Sequence, residues 1–364
     1  MKIALIGNGI TNLILANILS KKNISTSLFY VKKKINSQNS RTIGISKYNI
    51  DFFEKNKLDL RKISWPINKI KVFHERDKKN AIFEFNRDKS YLFSIIKNND
   101  LNDILEKSFK KNKLISRFKI KNNSDYEKII KNDNFDLIIN TDNRNIISKK
   151  FFFKKINKDY NSQAYTTFIR HQSCKNNTAY QIFTSKGPLA FLPFSKNKTS
   201  IVYSLANSSE ERNDIEIKNL INHYNSFYKI FSFEKFENFK LNFSVSRNYY
   251  FKNILCFGEN LHKIHPLAGQ GFNMTLRDIK ILEELIDFRL NLGLPLDKSI
   301  LKEFENKTKA TNYLFSSGID FIHDFFKFDN RFGNNYTKNI LKSLGNRNLF
   351  NESMSNIADK GLYF

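Results

Sequence analysis

MKIALIGNGITNLILANILSKKNISTSLFY, residues 1–30, decides the fold. Residues 2–6 form a short apolar run that closes on Gly7, the pattern of a buried strand. Gly7, Asn8 and Gly9 make a turn, after which Ile10, Leu13, Ile14 and Ile18 recur at helical spacing over 10–20. A second strand reads at 24–30. Strand, glycine turn, helix and strand together are the opening of a dinucleotide-binding βαβ unit. Gly7 permits the tight turn, and Gly9 lets backbone N–H groups approach a pyrophosphate at the helix N-terminus. Two positions depart from that fingerprint. Asn12 stands at the third glycine, so the helix must shift or the side chain must point aside. Tyr30 stands where an acidic residue would hold a ribose.

A second glycine cluster lies far downstream. An apolar strand reads at 253–257, followed by GENLHKIHPLAGQGFNM at 258–274. From about 273 to 290 the apolar residues fall at helical spacing. A loop stiffened by Pro266, Gly269 and Gly271 therefore opens a long helix. Glycine N–H groups at a helix start suit an anion or a polarised carbonyl. Glu259, just after the strand, is placed to accept hydrogen bonds from sugar hydroxyls. The alternative is a structural turn; the density of Gly, Pro and Gln directly before the helix argues against it.

These residues carry a resemblance. GENLHKIHPLAGQGFNMTLRD (258–278) is similar to the pattern GDAAHxxHPxxGQGxNxGxxD of the ubiquinone-biosynthesis hydroxylases, FAD-dependent aromatic-ring monooxygenases. Gly258, His262, His265, Pro266, Gly269, Gln270, Gly271, Asn273 and Asp278 match it. FTSKGPLAFLP (183–193) resembles the family's FxxxGPLALLP segment, RTIGIS (41–46) its arginine segment, and DLIINTDNR (136–144) its DLVIGADGR. Residues 358–361 resemble the closing motif more loosely. The matches run in family order over essentially the whole chain. Besides Asn12 and Tyr30, Asn143 replaces the glycine beside Asp142, and Glu259 replaces an aspartate. Asn143 would suit a left-handed backbone there.

The resemblance implies an α/β protein: a Rossmann-like FAD-binding domain of the aromatic-hydroxylase type with an inserted β-sheet substrate domain. Residues 1–158 would start the FAD domain, 159–246 would form the covering sheet, and 247–364 would complete the domain with C-terminal helices. Strands are expected at 163–170, 178–183, 190–194 and 199–205. The run from Phe315 to Phe328 reads as helical to irregular, and its phenylalanines as core or as a greasy surface.

The implied activity is hydroxylation of a polyprenylated phenol in ubiquinone biosynthesis, with NADH or NADPH and O2, through a flavin C4a-hydroperoxide. Gly7 and Gly9 would meet the FAD pyrophosphate, and Arg41 its phosphate oxygens. Glu259 would hold ribityl or pyrophosphate-proximal groups, and Asp142 and Gly258 would also bind the cofactor. Pro266, Gly269, Gln270, Gly271 and Asn273 would wall the isoalloxazine, with His265, Pro266 and Gly271 nearest the chemistry. Pro188 and Leu189 would approach from the substrate side. Two alternatives remain open: another FAD-dependent oxidoreductase of the same fold, or a weakly active member that scaffolds a biosynthetic complex.

Composition narrows the classes. Lys+Arg is 61 against 35 Asp+Glu, a formal charge of +26, yet lysine is spread end to end in runs such as 32–40 and 148–158. A nucleic-acid binder would concentrate its cations on one face or tail, so no nucleic-acid partner is expected. Weak attraction to an anionic membrane is the better use of the charge, with peripheral association at the inner face of the cytoplasmic membrane; the resemblance further implies contact with other ubiquinone-biosynthesis proteins. No stretch reaches the ~20 apolar residues of a spanning helix. MKIALIGNG runs straight into a turn, where a secretory leader would stay apolar for longer, which points to a cytoplasmic protein. Two cysteines exclude a disulfide scaffold, and His262 and His265 lack a third ligand, so no metal is expected.

Overall fold

The computed structural model describes residues 1–31, 41–77, 79–87, 90–109, 112–206, 212–266, 269–332 and 356–361. In chain order the elements are β1 (Lys2–Ile6), α1 (Ile10–Lys21), β2 (Ser25–Tyr30), β3 (Thr42–Ser46), α2 (Lys47–Lys55), β4 (Ser64–Ile67), β5 (Lys69–His74), β6 (Phe83–Asn86), β7 (Phe93–Lys97), α3 (Asn98–Phe109), β8 (Ile115–Lys119), α4 (Asn123–Ile130), β9 (Leu137–Asn140) and α5 (Ile146–Phe151). There follow β10 (Lys155–His171), β11 (Thr178–Thr184), β12 (Gly187–Ser195), β13 (Lys198–Ala206), α6 (Asp214–Tyr224), β14 (Ile230–Phe233), β15 (Glu237–Ser246), β16 (Tyr250–Phe251), β17 (Ile254–Cys256), a 3-10 turn at Gly258–Asn260, β18 (His262–Lys263), α7 (Gln270–Asn291) and α8 (Lys298–Phe332). The lysine run at 32–40, and Leu267 and Ala268, lie outside the described residues.

The first sheet has the order β16-β17-β9-β1-β2-β8, with all but β16 parallel. Every residue from Ile3 to Ile6 and from Leu137 to Asn140 is buried, because helices cover this sheet. The chain passes from β1 to β2 on one side and returns to β9 on the other. That reversal opens a crevice beyond the carboxyl ends of β1 and β9, the usual ligand position in such sheets.

The second sheet has the order β18-β15-β10-β13-β12-β11-β5-β6, with β14 also on β10. It contains the four expected strands. It also recruits β5 and β6, which sequence reading assigned to the cofactor domain. β5 joins in parallel to β11, over a hundred residues away in the chain. One face of this sheet packs on α6 through Leu189, Phe191, Tyr203, Ile217 and Ile221. The other packs on the first layer, where Ala164, Leu241 and Phe243 meet Ile264 and Met274 of the glycine loop and α7. The third sheet, β3-β7-β4, is antiparallel.

The run beginning at Phe315 is no irregular segment: α8 continues as one helix to Phe332. Phe315 is buried under the Arg277 guanidinium, 4.4 Å from its ring centre, whereas Phe321 is exposed. The side chains of Phe326 and Phe328 lie outside the described residues.

Candidate active site

Among the described helix starts, two are bare glycine. α4, α5 and α6 start on Asn122, Asn145 and Asn213, each of whose side chains caps a backbone N–H. α1 starts on Gly9 and α7 on Gly269, with no side-chain cap and no acidic residue in the first turn. Their first N–H groups are therefore left for another acceptor. A Cβ built on Gly9 meets nothing within 4 Å, so the space in front of α1 is open. Gly7 is held at φ 120, and a Cβ there would lie 2.6 Å from Thr141 Oγ1. That contact brings the ends of β1 and β9 together and explains the glycine. Asn12 does not push α1 away, since its Nδ2 donates to the Gly7 carbonyl at 2.8 Å and braces the turn.

The glycine loop reaches the same crevice. Gly258 adopts φ 61 and lies against Thr11 at the start of α1. Gly269 adopts φ 65 and lies against the Gly44 backbone. This left-handed residue starts α7 at Gln270, three residues before the expected start. Gly271, by contrast, is ordinary helix, with only a normal contact to Ile264. The loop's conformational demand for glycine thus sits at 258 and 269.

Asn273 ties the loop to the arginine segment. Its Nδ2 donates to Gly44 O (2.8 Å) and Gly269 O (3.1 Å), and its Oδ1 accepts from Ser46 N (2.9 Å) and Asn49 Nδ2 (2.8 Å). The side chain is fully used within the protein, so it positions the wall, and only its backbone could meet a ligand. Gln270 is buried and its Oε1 has no partner among the described residues.

Arg41 lies where three pieces meet. Its guanidinium stacks 4.3 Å above the Phe239 ring of β15, and its buried Nε has no partner among the described residues. Burial lowers its pKa, opposed by the charges of Glu259 and then Glu237. A half-buried cation with an unused donor suits a phosphate oxygen. Glu259 itself is exposed.

The loop after β9 departs from expectation. Asn143 is exposed and does not adopt the left-handed backbone anticipated for it. The turn is set by a buried amide network instead. Asn145 Nδ2 donates to Asn140 Oδ1 (2.8 Å), and Asn140 Nδ2 to Ser148 Oγ (2.8 Å). Ser148 Oγ donates to Asp142 O (2.6 Å), and Asn260 Nδ2 to Ser148 Oγ (2.9 Å) and Asn140 O (3.3 Å). Asp142 and the 258–260 turn are thereby locked to each other. Sequence reading missed Asn140 and Asn260, which stand at small residues of the family patterns.

Other sequence candidates are placed differently. His262 is wholly buried and its Nε2 bonds Asp278 Oδ2 at 2.6 Å, with Asn312 donating to the other oxygen at 2.9 Å. His265 is 1% exposed, its ring edge-on to Tyr160, so it lies in packed interior and does not front the opening. Pro266 is half-buried, and its carbonyl accepts from Gly269 N at 3.3 Å. Pro188 and Leu189 are consecutive in β12, so they point to opposite faces. Leu189 packs towards α6, leaving Pro188 on the inner face. The same inner face carries the cross-strand row Glu237, Thr166, Val202, Ala190 and Gln181. Tyr30, at the end of β2, brings no carboxylate to the crevice.

The architecture as a whole is that of the FAD-dependent aromatic monooxygenases. It superposes with a TM-score of 0.79 on p-nitrophenol 4-monooxygenase PnpA of Pseudomonas putida, at 11% identity, over 100% of this chain and 98% of that one. HpxO of Klebsiella pneumoniae, in complex with FAD and uric acid, gives 0.75 at 12% identity, over 99% and 97%.

In sequence, the chain is related to the ubiquinone-biosynthesis hydroxylases. It is 25% identical over 218 residues to ubiquinone biosynthesis monooxygenase COQ6 of Dictyostelium discoideum, covering 50% of this chain and 42% of that protein. It is 28% identical over 165 residues to 3-demethoxyubiquinol 3-hydroxylase of Escherichia coli, covering 42% and 41%. The chain thus spans under half the length of these curated relatives. No family model matches it.

Proposed function

We propose that this chain is an FAD-dependent monooxygenase that hydroxylates the ring of a prenylated phenol in ubiquinone biosynthesis. The observation that carries the reading is the pair of glycine-started helices flanking one crevice, with the unused Arg41 Nε beside them. The residues fit the dinucleotide. The α1 N–H groups and the open space at Gly9 would receive its pyrophosphate, and Arg41 a phosphate oxygen. Glu259 and the locked Asp142 turn would meet the sugar-alcohol side. When bound, FAD supplies the redox chemistry, taking a hydride from NADH or NADPH and activating O2 for transfer of one oxygen atom.

The remaining work belongs to the chain. Backbone N–H groups at the start of α7 offer fixed dipoles to negative charge on the ring system. The inner face, from Thr166 through Val202 and Ala190, would orient an apolar phenol and exclude water. Asn273 and the Asn140–Asn260 network hold both walls in place before either ligand arrives. Among the described residues no helix is long and apolar enough to cross a membrane.

Oxidation of NADH or NADPH by the FAD-loaded protein, measured with and without a prenylphenol, tests the reading. Stimulation with a hydroxylated product is expected. Flavin retention without substrate-dependent turnover favours a scaffold or another oxidoreductase.

A further inference from the structure

A patch of cations and phenylalanines lies on the surface outside the crevice. Two segments meet there: 149–155, which leaves α5 and enters β10, and 247–253, which forms the β16–β17 hairpin. The Arg247 N–H donates to the Lys154 carbonyl at 2.9 Å. The rings of Phe151 and Phe251 stack with centres 4.3 Å apart and planes 13° apart. Phe152 is wholly buried and anchors the patch, while Phe153 is 64% exposed and Phe251 38%. Around them Lys149, Lys150, Lys154, Arg247 and Lys252 are all exposed. None of these cations is ion-paired among the described residues, and neither 145–158 nor 246–258 contains an acidic residue. Lys252 holds the hairpin tip at φ 53, a backbone state that a lysine adopts only under constraint.

We propose that this patch docks the protein on an anionic lipid bilayer. Exposed phenylalanine favours the headgroup–acyl boundary, and flexible lysines reach lipid phosphates while their stems lie on apolar surface. Five exposed cations on two adjoining segments that carry no carboxylate of their own complement an anionic surface, with Glu305 of α8 an acid that acts on neighbouring Tyr249. A single-stranded nucleic acid fits less well. Its bases need a series of free aromatic faces; Phe151 and Phe251 turn theirs to each other, which leaves Phe153 as the one freely exposed ring of these three. The surface stands apart from the cofactor crevice, so the proposal does not depend on the redox reading.

The test is co-sedimentation of the full chain with phosphatidylcholine vesicles, with and without phosphatidylglycerol. Wild type is expected to bind the anionic vesicles. Lys150→Glu with Lys252→Glu should lower that binding at least about tenfold, since each basic residue near the surface contributes about fivefold. Lys149→Glu with Lys154→Glu should do the same, and it serves where the first pair fails to fold. Phe153→Ser should also weaken binding. Lys175→Glu with Lys196→Glu changes net charge equally at exposed sites on other strand connections and should stay within about threefold of wild type. Equal loss in that control overturns the proposal, as does unchanged binding in the patch variants. Tighter binding of a single-stranded oligonucleotide through the same lysines overturns it too.

Discussion

Asn273→Ala removes the side chain that joins α7, β3 and α2. Four hydrogen bonds of 2.8 to 3.1 Å disappear together. Asn273, Ser46 and Asn49 are 2%, 4% and 0% exposed, so water cannot readily replace the lost partner. A buried polar group left without a partner costs about 1–3 kcal/mol. Ser46 N–H and the Gly44 carbonyl lose their Asn273 side-chain partner, while the Asn49 amide keeps only a long 3.4 Å contact to the carbonyl of residue 273, and partial relaxation brings the total to roughly 2–4 kcal/mol. Urea denaturation of the cofactor-free protein measures this cost, and FAD titration of the variant should show at least about tenfold weaker binding, about 1.4 kcal/mol. Asn49→Ala, added to the first substitution, should cost at least about 1 kcal/mol less than it does alone, because its amide partner has gone. A loss below about 1 kcal/mol, with additive costs, would refute the claim that Asn273 acts by clamping.

Three further outcomes follow from the same geometry. Gly9→Ala points a methyl into open space, so cofactor-free stability should change by less than about 1 kcal/mol while FAD affinity falls at least tenfold; equal affinity would remove the pyrophosphate from α1. Gly269→Ala should cost about 1–2 kcal/mol because φ is 65, whereas Gly271→Ala should be neutral or stabilising, and thermal melts of the pair decide. Lys280 is buried and its pKa is pushed down to about 7 by desolvation, although the Tyr48 ring 3.2 Å away favours the cation. The folded state therefore holds fewer protons than the unfolded state between pH 7 and 10.5. Stability should rise with pH across that window by at most about 1.4 kcal/mol per unit, and Lys280→Met should flatten this slope in urea midpoints.

The sequence disclosed the local machinery well. The continuous apolar run 2–6, the glycines that follow it and the 3.6-residue period after Gly9 each report on neighbouring residues only, and β1 and α1 stand where they indicate. Facing was less legible. Pro188 and Leu189 share a motif, but strand alternation sends one inward and the other to α6. Long-range pairing carried no local signal, so the parallel addition of β5 to β11 went unread. Asn143 looked like the residue that makes its turn, yet Asn140, Asn145, Ser148 and Asn260 make it from positions up to 120 residues apart. In α8, the phenylalanine run from 315 to 328 read as helical to irregular, and packing of Phe304 and Phe315 on the body of the protein accompanies one continuous helix.

The central claim is that the crevice between β1 and β9 holds FAD. Titration of flavin-free protein with FAD, followed by flavin fluorescence and confirmed by the absorption of the purified complex, tests it most directly. One FAD per chain is predicted, at a Kd of about 1 µM or tighter, with Gly9→Ala at least tenfold weaker. No saturable binding up to about 100 µM, or binding untouched by Gly9→Ala and Asn273→Ala alike, would contradict it.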